Sequence, residues 1–398
     1  MKLKYILFLL IIYSSCNWKK QTTVTESFHP VPIVKDSFVY YPIKDNRIKV
    51  DLNKPQKASL FDYFSHIELI PLETKTDVLI GSCAEIIHYQ SSYYLFDSQQ
   101  QSVYAFDDTG KFILQISKRG RGPGEYIVIR SIFINSFTNK IDILGLNFIH
   151  SYDLSGKHVK TSPQLGNPPV FPQNFITLND KTFVLYSIGK GVSNSYRISY
   201  FDIEEAKIFH QEYEVDTFFD DFPHIVPRAS HTPFYEYNGK WFFFHEVDNV
   251  TYEVGLNSLT EAYTWDFGGL NYDPQKLNLP NDPMSINTLP YRIILQRQNN
   301  RYLMAQIRLR NSTRDTPLYH LIYDKATNEC KYIESFTESV DFLSKKISNE
   351  YVLSWCNHGE LEDFVSEEML DETNRQKFKD LMNAKEEQNT IVIKYFFK

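Results

Sequence analysis

The sequence lacks a second long apolar run, and it is poor in cysteine and in positive charge. After the N-terminal stretch, no segment approaches the roughly eighteen consecutive apolar residues that a membrane-spanning helix needs. Only 4 of the 398 residues are cysteines, and none has C-x-x-C spacing, which excludes a disulfide framework and a structural zinc site. The formal net charge of −7 argues against nucleic acid as a partner, because phosphate binding relies on a basic surface.

Sequence motifs for common cofactors and catalytic centres are also missing. H-E-x-x-H, G-x-S-x-G, Walker A and EF-hand patterns do not occur, so we predict no cofactor and no metal site from motifs. Residues 120–124 (GRGPG) come closest to a phosphate-binding loop. The third glycine position is occupied by Glu125, and no helical pattern follows. The β-rich flanks indicate instead a connection between two sheets.

Three cysteines remain in the body of the chain, namely Cys83, Cys330 and Cys356. Three cysteines cannot all pair with one another, so we interpret them as small buried side chains rather than as a disulfide framework. A bridge between Cys330 and Cys356 in an oxidising compartment is the alternative.

The first residues have the pattern of an export signal. Lys2 and Lys4 precede an apolar stretch, Tyr5–Tyr13, that is too short to span a bilayer. Ser14 and Ser15 then precede Cys16, which resembles the bacterial lipoprotein signal. We therefore predict a signal peptide over residues 1–15 and acylation of Cys16, and a secretory peptide with an incidental cysteine is the alternative. Acyl chains would anchor the protein to the cell envelope, and we expect the outer membrane, with the face left open.

Residues 16–58 are rich in Thr, Pro, Lys and Ser, which predicts a tether and an N-terminal extension. The chain that follows consists of short runs of β-branched and aromatic residues separated by turn residues, and this is typical of strands. Examples are the runs Ser92–Phe96, Ser102–Phe106, Lys111–Ile116, Lys140–Leu144 and Lys240–His245. The sequence therefore predicts an all-β fold.

The strand-like runs repeat along the chain, and the repeats share a short motif with an acidic residue, which we call the marker. Phe106–Lys111 (FDDTGK) aligns with Tyr152–Lys157 (YDLSGK), and weaker copies place an acid at residues 202, 253 and 324. An acidic side chain that caps a tight turn, followed by a glycine, is typical of a β-hairpin. A period of about 50 residues with several strands per unit is that of propeller blades, which hide their apolar faces by stacking around an axis.

Five blades carry the marker, and a sixth can be assembled from both chain ends. Its strands would be residues 342–344, 351–355 and 390–397, completed by residues 66–72. We predict a six-bladed β-propeller over residues 59–398, closed by this shared blade. Apolar residues at helical spacing predict a small helical insertion in that blade at about residues 360–386, with Asp371 capping a second helix.

Several strings also resemble a known family. Arg119–Tyr126 (RGRGPGEY), Ile132–Asn135 and Lys140–Ile143 are similar to the NHL-type propeller repeat. Together with Ile70–Glu73 and Asn389–Ile393, they resemble the six-bladed β-propeller lipoproteins of Bacteroidetes. The resemblance runs from about residue 60 to the C-terminus. It implies a six-bladed ring, export and a lipid anchor, and it implies no established activity.

Two groups of residues are candidates for ligand binding. Arg308 and Arg310 alternate with apolar residues in an arginine-rich segment, so both should point to one side of a strand. They would pair with acids of a neighbouring blade, or they would line the axis and bind an anion. Arg119, Arg121 and Glu125 would face a central pocket, although architecture is the favoured role of that segment.

The predicted function is an envelope-anchored binding or scaffolding module for a glycan, a peptide or a partner protein. The alternative is a propeller hydrolase or lyase with a metal ion at the central axis, assembled from single residues of several blades. Such a site leaves no local motif, so the sequence leaves enzymatic activity open.

Overall fold

The computed structural model describes residues 39–167, 170, 172–187, 196–214, 232–246, 248–271, 291–309 and 318–398. Cys16 and Arg310 lie outside these ranges. Within them the chain is mostly β-strand, with two short helices near the C-terminus. No helix in the described ranges is long and apolar enough to cross a membrane.

The strands form six sheets, which are the blades of a β-propeller. The first three strands are β1 (Arg47–Lys49), β2 (Gln56–Ala58) and β3 (Phe64–Pro71), and they join blades that are formed later in the chain. Blade 1 then contains β4 (Cys83–Tyr89), β5 (Ser92–Asp97), β6 (Ser102–Asp107) and β7 (Phe112–Ile116). Blade 2 contains β8 (Ser131–Asn135), β9 (Lys140–Leu144), β10 (Ile149–Asp153) and β11 (His158–Thr161).

The next two blades follow the same order. Blade 3 contains β12 (Pro172–Thr177), β13 (Thr182–Ser187), β14 (Tyr196–Asp202) and β15 (Lys207–Glu214). Blade 4 contains β16 (Phe234–Tyr237), β17 (Lys240–Phe244), β18 (Val250–Val254) and β19 (Leu259–Asp266).

The last two blades complete the ring. Blade 5 contains β20 (Tyr291–Gln298), β21 (Tyr302–Leu309), β22 (Leu318–Asp324) and β23 (Glu329–Phe336). Blade 6 contains β24 (Lys346–Ile347), β25 (Tyr351–Cys356) and β26 (Ile391–Phe397), and β3 is its outermost strand. The prediction of a six-bladed β-propeller is confirmed.

The core lies between the blades rather than inside one layer. Six clusters of buried apolar side chains fill the six interfaces between neighbouring blades. In the interface between blades 6 and 1, for example, Leu95 and Phe106 pack with Leu353 and Val392. Each sheet thus hides both faces only when two neighbours are present, which is the reason for a closed ring.

Both chain ends meet in blade 6, as the sequence predicts. β3 pairs antiparallel with β26, from Pro71 opposite Ile391 to Phe64 opposite Phe397. The first strand of the blade is β24 rather than the predicted residues 342–344. Phe342 belongs instead to a loop and is buried against Phe64 and Tyr395.

The propeller also includes residues that precede position 59. β1 pairs in parallel with β19, and β2 pairs in parallel with β23, so each becomes a fifth strand on an outer edge. Ile48 and Ala58 are buried there. Two three-residue strands carry too little sequence pattern to separate them from a tether.

The marker acids cap hairpin turns. The Asp107 carboxylate accepts hydrogen bonds from Thr109 N (2.8 Å) and Lys111 N (3.0 Å), and Asp153 accepts the equivalent two bonds in blade 2. Gly110 has a φ of +86°, and a Cβ there would lie 2.2 Å from the Pro71 carbonyl oxygen. This turn therefore requires glycine.

Helices α1 (Leu361–Phe364) and α2 (Glu372–Met382) connect β25 to β26. The Asp371 side chain caps α2 by accepting a bond from Asn374 N, as predicted. Asn374 and Lys377 of α2 bond the backbone N–H and carbonyl of Leu69, so this helix covers the edge of β3. The three cysteines of the propeller are free thiols, and no bridge joins Cys330 to Cys356.

Candidate functional site

The first strands of the blades surround the axis of the propeller. β8 contacts both β4 and β12, and β20 contacts both β16 and β24. Each blade is entered by its first strand, so the N-terminal ends of these six strands lie at the same end of the axis. We call this region the axial mouth, and we define it by Glu85, Arg130, Gln173, Arg197, Glu246, Arg292, Arg308 and Lys346.

Polar contacts link the strands around the mouth. Lys346 Nζ of blade 6 lies 2.8 Å from Glu85 Oε1 of blade 1. Arg130, just before β8, donates from Nη1 to Gln173 Oε1 of blade 3 at 2.5 Å. Asn174 then bonds Ser131 of blade 2 at 3.2 Å, and it accepts a bond from Thr232, which precedes blade 4, at 3.0 Å.

Between blades 4 and 5 the mouth holds an ion pair. Arg292 Nε and Nη2 both donate to Glu246 Oε2, the former at 3.1 Å. Glu246 lies in the loop after β17, and its backbone carbonyl accepts a bond from Ile293 N at 2.6 Å. The carboxylate is buried, and this burial raises the pKa of Glu246 although Arg292 and Arg197 oppose the rise.

Arg197 is a buried charge at the same place. It lies on β14 of blade 3 and is only 4% exposed. Among the described side chains no carboxylate lies within ion-pair distance of its guanidinium. Burial raises the pKa of the Tyr186 phenol to about 12, and the adjacent Arg197 opposes this rise. Burying a charge without an ion partner costs free energy of folding. Arg197 is therefore a candidate to bind an anion.

The guanidinium group of Arg130 also has unused hydrogen-bonding capacity. Its Nε is buried without a hydrogen-bond acceptor among the residues that the structure describes. Burial lowers the pKa of this guanidinium.

Among the described residues, the mouth has more positive than negative side chains, although the protein as a whole is acidic. Its cationic side chains in the described ranges are Arg130, Arg197, Arg292, Arg308 and Lys346. Its carboxylates in these ranges are Glu85 and Glu246, and Asp248 lies in the same loop as Glu246. Asp248 is held by the hydroxyl groups of Tyr213 (2.9 Å) and Tyr252 (3.2 Å). His245 is uncharged at neutral pH, because burial, helped by Arg197 and Arg292, lowers its pKa well below 6.5.

Aromatic and buried charged side chains lie further from the N-terminal ends of the first strands. Phe133 of blade 2 contacts Trp241 of blade 4, with ring centroids 5.6 Å apart. Arg297 on β20 is buried and donates to the carbonyl oxygens of Lys345 and Gln296. Burial lowers the pKa of Arg297 to about 10 and raises the pKa of Glu236 on β16.

The described members of the two predicted groups of ligand residues lie on different elements. Arg308 is exposed and directly opposite Arg292 in the strand pair, so both side chains lie on the same side of blade 5. Arg119, Arg121 and Glu125 are exposed in the connection between β7 and β8.

The glycine-rich connection is held by its own backbone. Gly120 N donates to Tyr126 O (2.9 Å), and Tyr126 N donates to Lys118 O (3.0 Å). The Glu125 carboxylate accepts a bond from Gly122 N at 2.7 Å. The buried Tyr126 hydroxyl bonds Gln101 O and Ile116 O. The segment is a connection between two blades, as favoured from the sequence.

Sequence reasoning missed most of the mouth. Glu85, Arg130, Arg197, Glu246 and Lys346 come from five different blades or the loops beside them, and none lies in a motif. In the described part of the chain, no group of three or more His, Cys, Asp or Glu side chains is arranged to hold a metal ion.

Comparison with known proteins supports the architecture. The model of a domain of unknown function, DUF4934, matches residues 45–396. A protein of Bacteroides fragilis that is described as exported has a similar structure, with a TM-score of 0.64 and 18% identity, covering 88% of this chain and 98% of that one. A DUF4221 family member from Bacteroides vulgatus matches at a TM-score of 0.45 and 12% identity, covering 84% of this chain and 96% of that one. No curated protein matches the sequence. The chain belongs to the DUF4934 family.

Proposed function

We propose that the protein is an exported, lipid-anchored binding module whose propeller holds an anionic ligand at the axial mouth. The observation that carries this proposal is the surplus of guanidinium groups there, with Arg197 buried and lacking an ion partner among the described residues. Guanidinium groups bind carboxylate, sulfate and phosphate through paired, charge-assisted hydrogen bonds. Binding such a group would supply a counter-charge for Arg197, which no described carboxylate provides.

Export is supported by the N-terminal pattern and by the similar exported protein of Bacteroides fragilis. The lipid anchor is supported by the Ser14-Ser15-Cys16 sequence after a short apolar stretch.

Replacing Cys16 by serine tests the anchor. The wild-type protein should fractionate with membranes and incorporate a labelled fatty acid, because the acylated thiol holds it there. The variant should lose the label completely and appear in the soluble fraction. Retention of the label would contradict acylation of Cys16. Cys83→Ser is the matched control and should behave as the wild type.

Replacing Arg197 or Arg130 by glutamine tests the binding site. Each variant should weaken binding of a set of anionic probes (glucuronate, phosphate and sulfate) about tenfold or more, because each removes charge-assisted hydrogen bonds. Titration calorimetry at constant ionic strength measures the affinity, with glucose as the neutral probe. A thermal melt of each variant checks that it remains folded.

Arg301→Gln is the control for this experiment. Arg301 belongs to the same arginine-rich segment, but it pairs with Asp324 at the other end of blade 5. Its replacement should leave anion binding unchanged. Equal losses in Arg301→Gln and Arg197→Gln would point to nonspecific charge rather than to a site, and absence of anion binding in the wild type would refute the proposed function.

A further inference from the structure

We propose that the ligand of the axial mouth is an acidic polysaccharide, a chain with repeated anionic groups that extends outward from Arg130 to Arg119 and Arg121. This inference rests on the proposed function of the axial mouth, and it names the class of the ligand. It adds a second binding region, the rim subsite, which we define by Lys118, Arg119 and Arg121. Residues 117–130, which connect β7 to β8, join the two regions.

The connection runs from the outer strand of blade 1 to the first strand of blade 2, at the end of the axis where the mouth lies. On its way the Tyr126 hydroxyl bonds the carbonyl oxygens of Ile116 and Gln101, and Ile129 N donates to Gln101 Oε1 at 2.6 Å. It ends at Arg130, whose Nε has no acceptor among the described residues. Neighbouring strands of a sheet lie about 4.8 Å apart, so the outer and first strands of a four-stranded blade are separated by roughly 14 Å. A ligand that reaches both regions is therefore longer than one sugar unit.

The rim subsite is positively charged and open to solvent. Lys118, Arg119 and Arg121 are exposed, and no carboxylate in the described ranges forms an ion pair with any of them. The neighbouring acid is Glu125, and its carboxylate accepts a bond from Gly122 N at 2.7 Å. Guanidinium groups bind carboxylate and sulfate through paired, charge-assisted hydrogen bonds. The two arginines can therefore bind further anionic groups of a ligand whose first group lies at the mouth.

The backbone that carries the rim subsite is held in place by buried contacts. Gly124 is buried with a φ of +75°, and a Cβ there would lie 2.6 Å from His158 Cγ, so this position requires glycine. Its carbonyl oxygen accepts a bond from the buried Tyr152 hydroxyl at 2.7 Å. Arg119 also forms an isolated β-bridge with Tyr126. A backbone that is ordered before binding lowers the entropic cost of binding, which favours a role in ligand recognition.

Nucleic acids are also chains of anionic groups, and the charge of the whole protein argues against them. The formal net charge is −7, whereas nucleic-acid binding relies on a basic surface. The proposed export also separates the protein from the nucleic acids of the cytoplasm. An acidic polysaccharide is thus the chain that fits both the local positive charge and the proposed location.

Galacturonate and its hexamer test this inference by titration calorimetry at constant ionic strength. The wild type should bind the hexamer about a hundredfold more tightly than the monomer, because a second contact made by the same molecule acts at a high effective concentration. The double variant Arg119→Gln/Arg121→Gln should bind the hexamer about tenfold more weakly than the wild type does, and the monomer equally well. Its thermal melt should match that of the wild type, because both side chains are exposed.

Lys111→Gln/Lys157→Gln is the matched control. It also removes two exposed positive charges, but these lie at hairpin turns at the other end of the axis. This variant should bind the hexamer as the wild type does. An equal loss in both double variants would show a general effect of net charge and would overturn the rim subsite.

The possible outcomes separate this inference from the proposed function. Binding of the monomer with no gain for the hexamer would overturn the extended ligand and leave the axial site in place. No binding of galacturonate at either length would also overturn this inference, and the proposed function would fail only if glucuronate, phosphate and sulfate did not bind either. A single-stranded oligonucleotide that binds as tightly as the hexamer, with the same loss in Arg119→Gln/Arg121→Gln, would overturn the assignment to a polysaccharide.

Discussion

A chain that begins at residue 72, and therefore lacks β1, β2 and the blade-forming strand β3, will show no cooperative unfolding transition, whereas a chain that begins at residue 39 will. β3 supplies the outermost strand of blade 6 and pairs with β26 along its whole length. It also buries Phe64, Ile67, Leu69 and Ile70 between blades and under α2. Burial of each side chain contributes about 1.5–3 kcal/mol, so the loss approaches the roughly 5–15 kcal/mol that stabilise a domain.

Thermal melts followed by circular dichroism, together with size-exclusion chromatography, measure this difference. The protein that starts at residue 39 is the control, because it retains every strand that the structure describes. A synthetic peptide of residues 59–72 should restore a cooperative transition to the shortened chain when it is added in trans. A sharp transition in the shortened chain by itself, near the temperature of the control, would show that the ring does not depend on the shared blade.

The fold could be predicted because its signals are local. The turns at Asp107 and Asp153 each use an acid to bond the next backbone N–H groups and a glycine with positive φ, all within five residues. The same chemistry repeats in successive blades, and only stacking around an axis explains such a repeat. The closing blade could be predicted as well, because apolar strand runs remained at both ends of the chain.

β1 and β2 could not be predicted in the same way. Each has three residues, and each is stabilised by pairing with β19 or β23, more than 200 residues away. Such strands form because an edge already exists, and their own sequence carries no alternation long enough to reveal them.

The axial mouth could be predicted only in part. Alternation predicts that Arg308 and Arg310 point to one side of a strand, but the residue that lies opposite Arg308 depends on the strand register. A bulge between Ile293 and Leu295 shifts the pairing of β20 with β21, and it sets Arg292 opposite Arg308. Arg197 influences the Glu246 carboxylate electrostatically only because blades 3 and 4 are neighbours. Contacts of this kind depend on the geometry of the ring, which a single sequence does not contain.

Asp97→Ala will destabilise the propeller by about 4 kcal/mol, because one fully buried carboxylate accepts bonds from four backbone N–H groups and a hydrogen bond contributes about 1 kcal/mol net. Its oxygens accept from Gly81 (2.6 Å), Ser82 (3.2 Å), Gln99 (2.9 Å) and Gln100 (3.0 Å). These bonds join the loop after β5 to the segment that enters β4. Asp97 therefore fixes the start of blade 1, beside the contact of Glu85 with Lys346.

Asp107→Ala provides the matched comparison, since Asp107 also accepts backbone bonds but is only half-buried, at a hairpin turn where these bonds are exposed to solvent. Water can replace those bonds, so the loss should be about 1 kcal/mol, as for other side-chain caps. Urea denaturation of the wild type, Asp97→Ala, Asp97→Asn and Asp107→Ala gives the free energy of unfolding of each protein. The value for Asp97→Asn should lie between those of the wild type and Asp97→Ala, because the amide keeps an acceptor but places an NH₂ group against N–H donors. Equal losses at positions 97 and 107 would mean that burial of the Asp97 carboxylate does not matter, and that blade 1 is held in place by its apolar interfaces alone.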